Sequence, residues 1–197
     1  ILNKQFQSFI GRQSIPIVYG LTIGEYANMI KGENWFNKSS ELKLTVIKNK
    51  NYTRDSEYIL PIAPSPNLKS QNSIYLYPSL CLLESTVWSV GRGTDTPFEI
   101  YGHPDDTSKF VFIPESNQGA SNPKFKGKVC HGFDLTADNS SKPYSIDLKP
   151  LFYAYKMTKN KDSFFLSNFD LITGCDYIKE DLKQGVDYET TANKWKT

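Results

Sequence analysis

The sequence predicts an α+β domain with a mostly antiparallel sheet and flanking helices, entered through a short α/β piece. Three observations carry this. A strand-like run, a tight turn and a helix start follow one another over residues 15–30. Strand-like runs then succeed one another from residue 86 to residue 134, and helical patterns come after them. The twelve Tyr and twelve Phe favour a sheet-rich core, although an aromatic-lined sugar site would use them too.

Ile15-Pro-Ile-Val-Tyr19, ended by Gly20, reads as a buried strand. Thr22-Ile-Gly-Glu25 has the capping-box spacing, and Tyr26 to Ile30 is apolar at helical intervals. The first amides of such a helix point outward, which is where α/β folds place ligand groups. Glu41 to Ile47 alternates and then runs apolar, as a half-exposed strand does. Pro61, Pro64 and Pro66 bar regular helix up to Asn67. Ser73 to Leu83 is either a helix with Pro78 near its first turn or two short pieces.

Thr86 to Val90 is strand-like, and Gly91-Arg-Gly93 is a flexible turn. Further strands are expected at Phe98–Tyr101, Lys109–Ile113 and Lys128–Asp134. Asn139 to Pro143 reads as a surface loop. Leu148–Met157 is expected as a helix with Pro150 in its first turn, and Asp176–Gln184 as a short helix stopped by Gly185. No internal repeat or clear linker divides the chain. The composition changes near residue 40, separating an α/β piece, residues 1–40, from an α+β domain, residues 41–197.

Composition excludes several function classes. A net charge of +2 in 197 residues is too balanced to suggest nucleic acid. The densest basic stretch, Lys124-Phe-Lys-Gly-Lys128, reads as a solvated loop able to brush an anion. No stretch approaches the ~18–20 apolar residues of a membrane span. Cys81, Cys130 and Cys175 are widely spaced without a CxxC, and His103 and His131 lack metal-ligand spacing, so neither a metal site nor a cofactor is expected. Cys81 reads as a buried small hydrophobe, and one disulfide among the three stays open. No phosphate-binding glycine loop is present.

Carboxylates and one arginine remain. Glu25 is either the capping partner of Thr22 or a site carboxylate held charged by the helix N-terminus. Glu84 is a solvent-facing cap or a buried site group. Arg92, between two glycines, is an exposed turn residue or a fork for a carboxylate. Asp95 pairs with Arg92, accepts from sugar hydroxyls, or makes an ordinary Asx turn. Paired carboxylates are the usual tools of glycoside hydrolysis, but any acidic chain has such pairs.

Three blocks carry a more specific signal. They are Ile15 to Ala27, then Pro64-Ser-Pro-Asn67 with Tyr75 to Leu82, then Glu84 with Ser89-Val-Gly-Arg-Gly-Thr-Asp-Thr-Pro-Phe-Glu99. In order and spacing they resemble the NamZ family of peptidoglycan exo-β-N-acetylmuramidases, most strongly over residues 5–135. The resemblance implies a glycoside hydrolase that removes N-acetylmuramic acid from the non-reducing ends of peptidoglycan fragments. It implies that residues 1–40 are the tail of a Rossmann-like domain and residues 41–197 an ancillary domain. The cleft between those domains then holds the active site, and most of the first domain, with at least one catalytic acid, lies outside this sequence. The chain alone is therefore expected to be inactive. Glu25 becomes the expected catalytic carboxylate. Asn67, Glu84, Arg92, Thr94 and Asp95 become expected substrate-binding residues, with Arg92 facing the lactyl carboxylate. The resemblance also implies a periplasmic or extracellular setting. The competing classes are a carbohydrate-binding or docking module without chemistry, and a protein-interaction domain. The latter needs a broad exposed apolar patch, of which the sequence shows no obvious sign.

Overall fold

A computed structural model of the chain describes residues 2–53, 56–137 and 145–194. The loop expected over residues 139–143 lies outside the described residues. Two compact units form: Tyr19–Ile59, and Ile1–Val18 together with Leu60–Thr197.

In the smaller unit, helix α1 spans Ile23–Gly32. Its capping box is complete: Thr22 Oγ1 accepts from the Glu25 amide, and Glu25 Oε2 accepts from the Thr22 amide at 2.8 Å. Gly24 is needed in that first turn, because a Cβ there would lie 2.5 Å from a Val46 methyl.

Two strands expected in the first 50 residues do not form. Residues 15–19 and 42–47 have no regular structure and pair with no other strand among the described residues. Ile17, Tyr19 and Ile47 are exposed, Ile47 at 90 %. Their apolar content was legible, but a strand also needs a neighbour for its backbone, and Pro16 removes one donor from the first segment. Most of the large apolar side chains left exposed lie between residues 9 and 62.

The larger unit is α+β. Helix α2 (Gln71–Glu84) starts at a second capping box, between Ser70 and Ser73. It is one continuous helix, and Pro78 sits in its middle rather than in its first turn. Leu80, Leu82 and Leu83 are fully buried, so packing on several sides outweighs the backbone bond that proline removes. Strands β1 (Ile100–His103), β2 (Phe110–Phe112) and β3 (Cys130–Asp134) form an antiparallel sheet in the order β1-β3-β2. Strand β1 begins two residues later than expected, because Phe98 adopts φ +61° and turns the chain. Residues 86–90 make only isolated bridges, Thr86 to Phe165 and Ser89 to Gly102.

Helices α3 (Lys149–Met157), with Pro150 in its first turn, and α5 (Tyr177–Gln184), ended by left-handed Gly185, stand where the sequence places them. The short helices α4 (Phe169–Thr173) and α6 (Tyr188–Lys194) carry too few turns to show a period. The core gathers α2, Trp88, Tyr101, Leu151, Phe164 and Ile178. Trp88 Nε1 donates to Thr158 Oγ1 at 2.8 Å inside it. All three cysteines are buried free thiols.

Candidate functional site

The end of α2 and the turn after residue 90 meet in the larger unit. Glu84 is the last residue of α2, and its Oε1 accepts from Arg92 Nη1 at 2.9 Å. Arg92 Nη2 donates to the Gly119 carbonyl at 3.2 Å. Asn67 Nδ2 donates to that same carbonyl at 2.7 Å. The 117–120 loop is closed by Asn117 Oδ1, which accepts from the Gly119 and Ala120 amides.

The two glycines beside Arg92 serve close packing. Gly91 and Gly93 both have left-handed φ, +74° and +88°. A Cβ on Gly91 would lie 2.4 Å from Ile100, and one on Gly93 would lie 2.6 Å from both the Glu115 carbonyl and Pro123. The turn is thereby wedged against β1 on one side and the 115–123 segment on the other. Thr94 Oγ1 closes it by donating to the Gly91 carbonyl at 2.7 Å.

A cavity of about 480 Å³ opens beside this cluster, walled by Glu84, Ser89, Arg92, Gly119, Asn122 and Lys124 among others. No aromatic ring among the described residues lines it. The aromatics serve the core instead, with Tyr101 stacked on Phe133 at 5.1 Å and Tyr153 edge-on to Phe133 at 4.7 Å.

Lys124 departs most from expectation. It does not lie in a solvated loop; its ammonium turns inward and donates to backbone carbonyls of Glu84 (2.7 Å), Thr86 (2.6 Å) and Trp88 (3.1 Å), with Leu83 at 3.5 Å. Burial pushes its pKa down to about 8; Glu84 opposes that shift and Arg92 adds to it. The sequence marks Lys124 only as part of a basic stretch; its inward turn is not legible there, since its partners lie some 36 to 41 residues away. On the same helix as Glu84, burial pushes the Cys81 thiol up to about 12, helped by the Glu84 charge.

The remaining expected site residues are placed as follows. Asp95 does not pair with Arg92. Its carboxylate is fully exposed and faces Lys69 at 3.7 Å. Glu84 is the residue that orients Arg92. Glu25 lies in the smaller unit and caps α1. Asn67, Glu84, Arg92 and Thr94 therefore share one network, in which Thr94 shapes the turn. His103 and His131 stand opposite each other across β1 and β3. Among the described residues, no group of three or more His, Cys, Asp or Glu could hold a metal ion, and no helix is long and apolar enough to cross a membrane.

This geometry can be set against known proteins. Family models described as exo-β-N-acetylmuramidase NamZ, N-terminal and C-terminal, match residues 1–72 and 75–197. The chain is 31 % identical to the peptidoglycan β-N-acetylmuramidase NamZ of Bacillus subtilis, over 99 % of this chain and 51 % of that protein. A crystal structure of a DUF1343 family protein from Bacteroides fragilis is 42 % identical with a TM-score of 0.94, over 100 % of this chain and 56 % of that one. A second DUF1343 protein from the same organism, 22 % identical with a TM-score of 0.75 over 96 % of this chain and 55 % of that one, shares the fold. The chain spans about half the length of these relatives. Two family models in tandem and the identity to a curated member agree: the chain belongs to the NamZ exo-β-N-acetylmuramidase family.

Proposed function

We propose that the chain is part of a glycoside hydrolase that removes N-acetylmuramic acid from the non-reducing ends of peptidoglycan fragments. Its cleft is shared with a Rossmann-like N-terminal domain of the same protein, whose tail is residues 1–40. The observation that carries the substrate assignment is the Glu84–Arg92 pair in the wall of the cavity. Arg92 spends one N–H on Glu84 and one on the Gly119 carbonyl. A guanidinium has five N–H donors, so its fork keeps protons for a ligand carboxylate such as the lactyl group of muramic acid. Asn67 and Thr94 hold the surrounding loops, and Asp95 offers an exposed acceptor to sugar hydroxyls.

Glu25 is the catalytic carboxylate of this reading. Its carboxylate accepts from the Thr22 amide at the N-terminus of α1. The exposed apolar side chains of residues 9–62 support a covering partner domain in the whole protein. The same reading places the protein in the periplasm or outside the cell.

One observation favours a second reading, a carbohydrate-binding or docking module without chemistry. Among the described residues lining the cavity, Glu84 is the only carboxylate, and it is already paired. A chromogenic β-N-acetylmuramide separates the two. Aglycone release by the longer parent protein but not by this chain supports the shared cleft. Release by neither overturns the muramidase reading and leaves the binding module.

A further inference from the structure

We propose that Lys124 is the positioning residue of the cavity: by holding the backbone at the end of α2 and the start of the following segment, it fixes Glu84 against Arg92 and so aims the guanidinium at an anionic ligand. The aim toward a carboxylate rests on the muramidase reading; the positioning of Arg92 does not.

An ammonium has three protons, and here four carbonyls lie within 3.5 Å of it. Its donors are therefore spent on the backbone, so Lys124 acts through other groups. Two of those carbonyls, Leu83 and Glu84, belong to the last turn of α2, where a cation meets the negative end of the dipole; the Leu83 carbonyl also accepts from the Thr86 amide and hydroxyl. The other two, Thr86 and Trp88, lie on the segment leading to the Gly91–Gly93 turn. One side chain thus ties the backbone on which Glu84 stands to the backbone that carries Arg92. Pro123, its neighbour in sequence, packs on Gly93 at the other end of that turn.

The arrangement has an internal counterpart. Lys161 Nζ donates to the Lys156 and Thr158 carbonyls at 2.7 Å each and also to the Tyr155 carbonyl, closing the end of α3. Lys161 does not line the cavity, so it isolates the stability effect of such a clamp from any effect on Arg92.

The charged groups facing the Lys124 ammonium are Glu84 on α2 and Arg92 in the turn. Glu84 in turn faces Tyr77 and Cys81 on its own helix, whose pKa values are both raised, chiefly by burial. Of these groups, Lys124 is the one whose charge is lost near pH 8.

The test is the carbon-detected guanidinium spectrum of Arg92 in this chain, in the wild type, Lys124→Met, Lys124→Arg and Lys161→Met. The expected result is hindered, inequivalent Nη groups in the wild type, averaging in Lys124→Met, partial recovery in Lys124→Arg, and a wild-type spectrum in Lys161→Met despite a lower melting temperature. In the parent enzyme, Lys124→Met raises KM for a muramide about tenfold or more with little change in kcat. KM for a glucosaminide without the lactyl carboxylate stays level. An Arg92 spectrum unchanged in folded Lys124→Met overturns the proposal. If that variant does not fold, Lys124→Gln decides instead, since its amide has neither the charge nor the reach to bridge the four carbonyls; an Arg92 spectrum unchanged in folded Lys124→Gln overturns the proposal. A parent without muramidase activity would sink the substrate reading, while the spectra still decide on Lys124.

Discussion

Asn67 and Arg92, brought together from separate segments, donate to one acceptor, the carbonyl oxygen of Gly119, at 2.7 and 3.2 Å. The shared acceptor fixes the 117–120 loop against the Glu84–Arg92 pair and gives the cavity a defined wall. A Cβ on Gly119 would lie 2.8 Å from Asn67 Oδ1, so a larger residue there would have to displace the Asn67 side chain.

Removing Arg92 is expected to act on binding. In the parent enzyme, Arg92→Ala should raise KM for a muramic acid substrate roughly 10- to 100-fold, the range for one charge-assisted contact. Arg92→Lys should recover only part of this, because one ammonium cannot serve Glu84, the Gly119 carbonyl and a ligand carboxylate with a planar fork. Steady-state kinetics check it, and an unchanged KM in Arg92→Ala sinks the carboxylate assignment.

Gly93→Ala and Gly127→Ala separate close packing from backbone conformation. Both positions have left-handed φ, +88° and +71°. At Gly93 the added methyl also meets the Glu115 carbonyl and Pro123, whereas at Gly127 its nearest neighbour is 3.9 Å away. Gly93→Ala should cost about 2–4 kcal/mol, and Gly127→Ala only about 1 kcal/mol. Equal losses in denaturant titrations would refute the wedge.

How much of this was legible follows from which contacts are local. The capping box of Thr22 and Glu25, the helix with Pro150 and the Gly185 stop depend on near neighbours, and the sequence shows them; the strands around Phe110 and Cys130 are visible as apolar runs, although the pairing that completes them joins residues about 20 apart. The run Ile15–Tyr19 was misread because burial is set by partners that no local pattern contains. At the site, the Gly91–Gly93 turn was visible and Arg92 with it. The choice of Glu84 over Asp95 as its partner, and the inward Lys124, depend on long-range closure and could not be read.

Trp88 depends on a single buried acceptor. Thr158→Val keeps the shape of the side chain but removes the hydroxyl that Trp88 Nε1 meets at 2.8 Å. Trp88 is 1 % exposed, so its N–H is left without a partner, at a cost of about 1–3 kcal/mol. Thr158→Ser should restore most of that. A Val variant as stable as the wild type would mean that the indole finds another acceptor.

His103 gives the fold an acid-side pH dependence. Its Nδ1 accepts from the Asp105 amide at 3.0 Å, which the neutral ring does and the protonated ring cannot. Burial lowers its pKa; Asp105 and Asp106 oppose that shift, and Lys159 adds to it. The folded value lies below the unfolded one of about 6.5, so the unfolded chain takes up the proton first as pH falls. The contribution of His103 is therefore present above about pH 6.5 and is lost as pH drops from there through the folded value. His103→Asn supplies an Asx-type acceptor to the same amide without titrating. Unfolding free energies at pH 7 and about pH 5 should differ less in the variant than in the wild type. Since exposed carboxylates contribute equally to both proteins, identical slopes would remove His103 from the acid response.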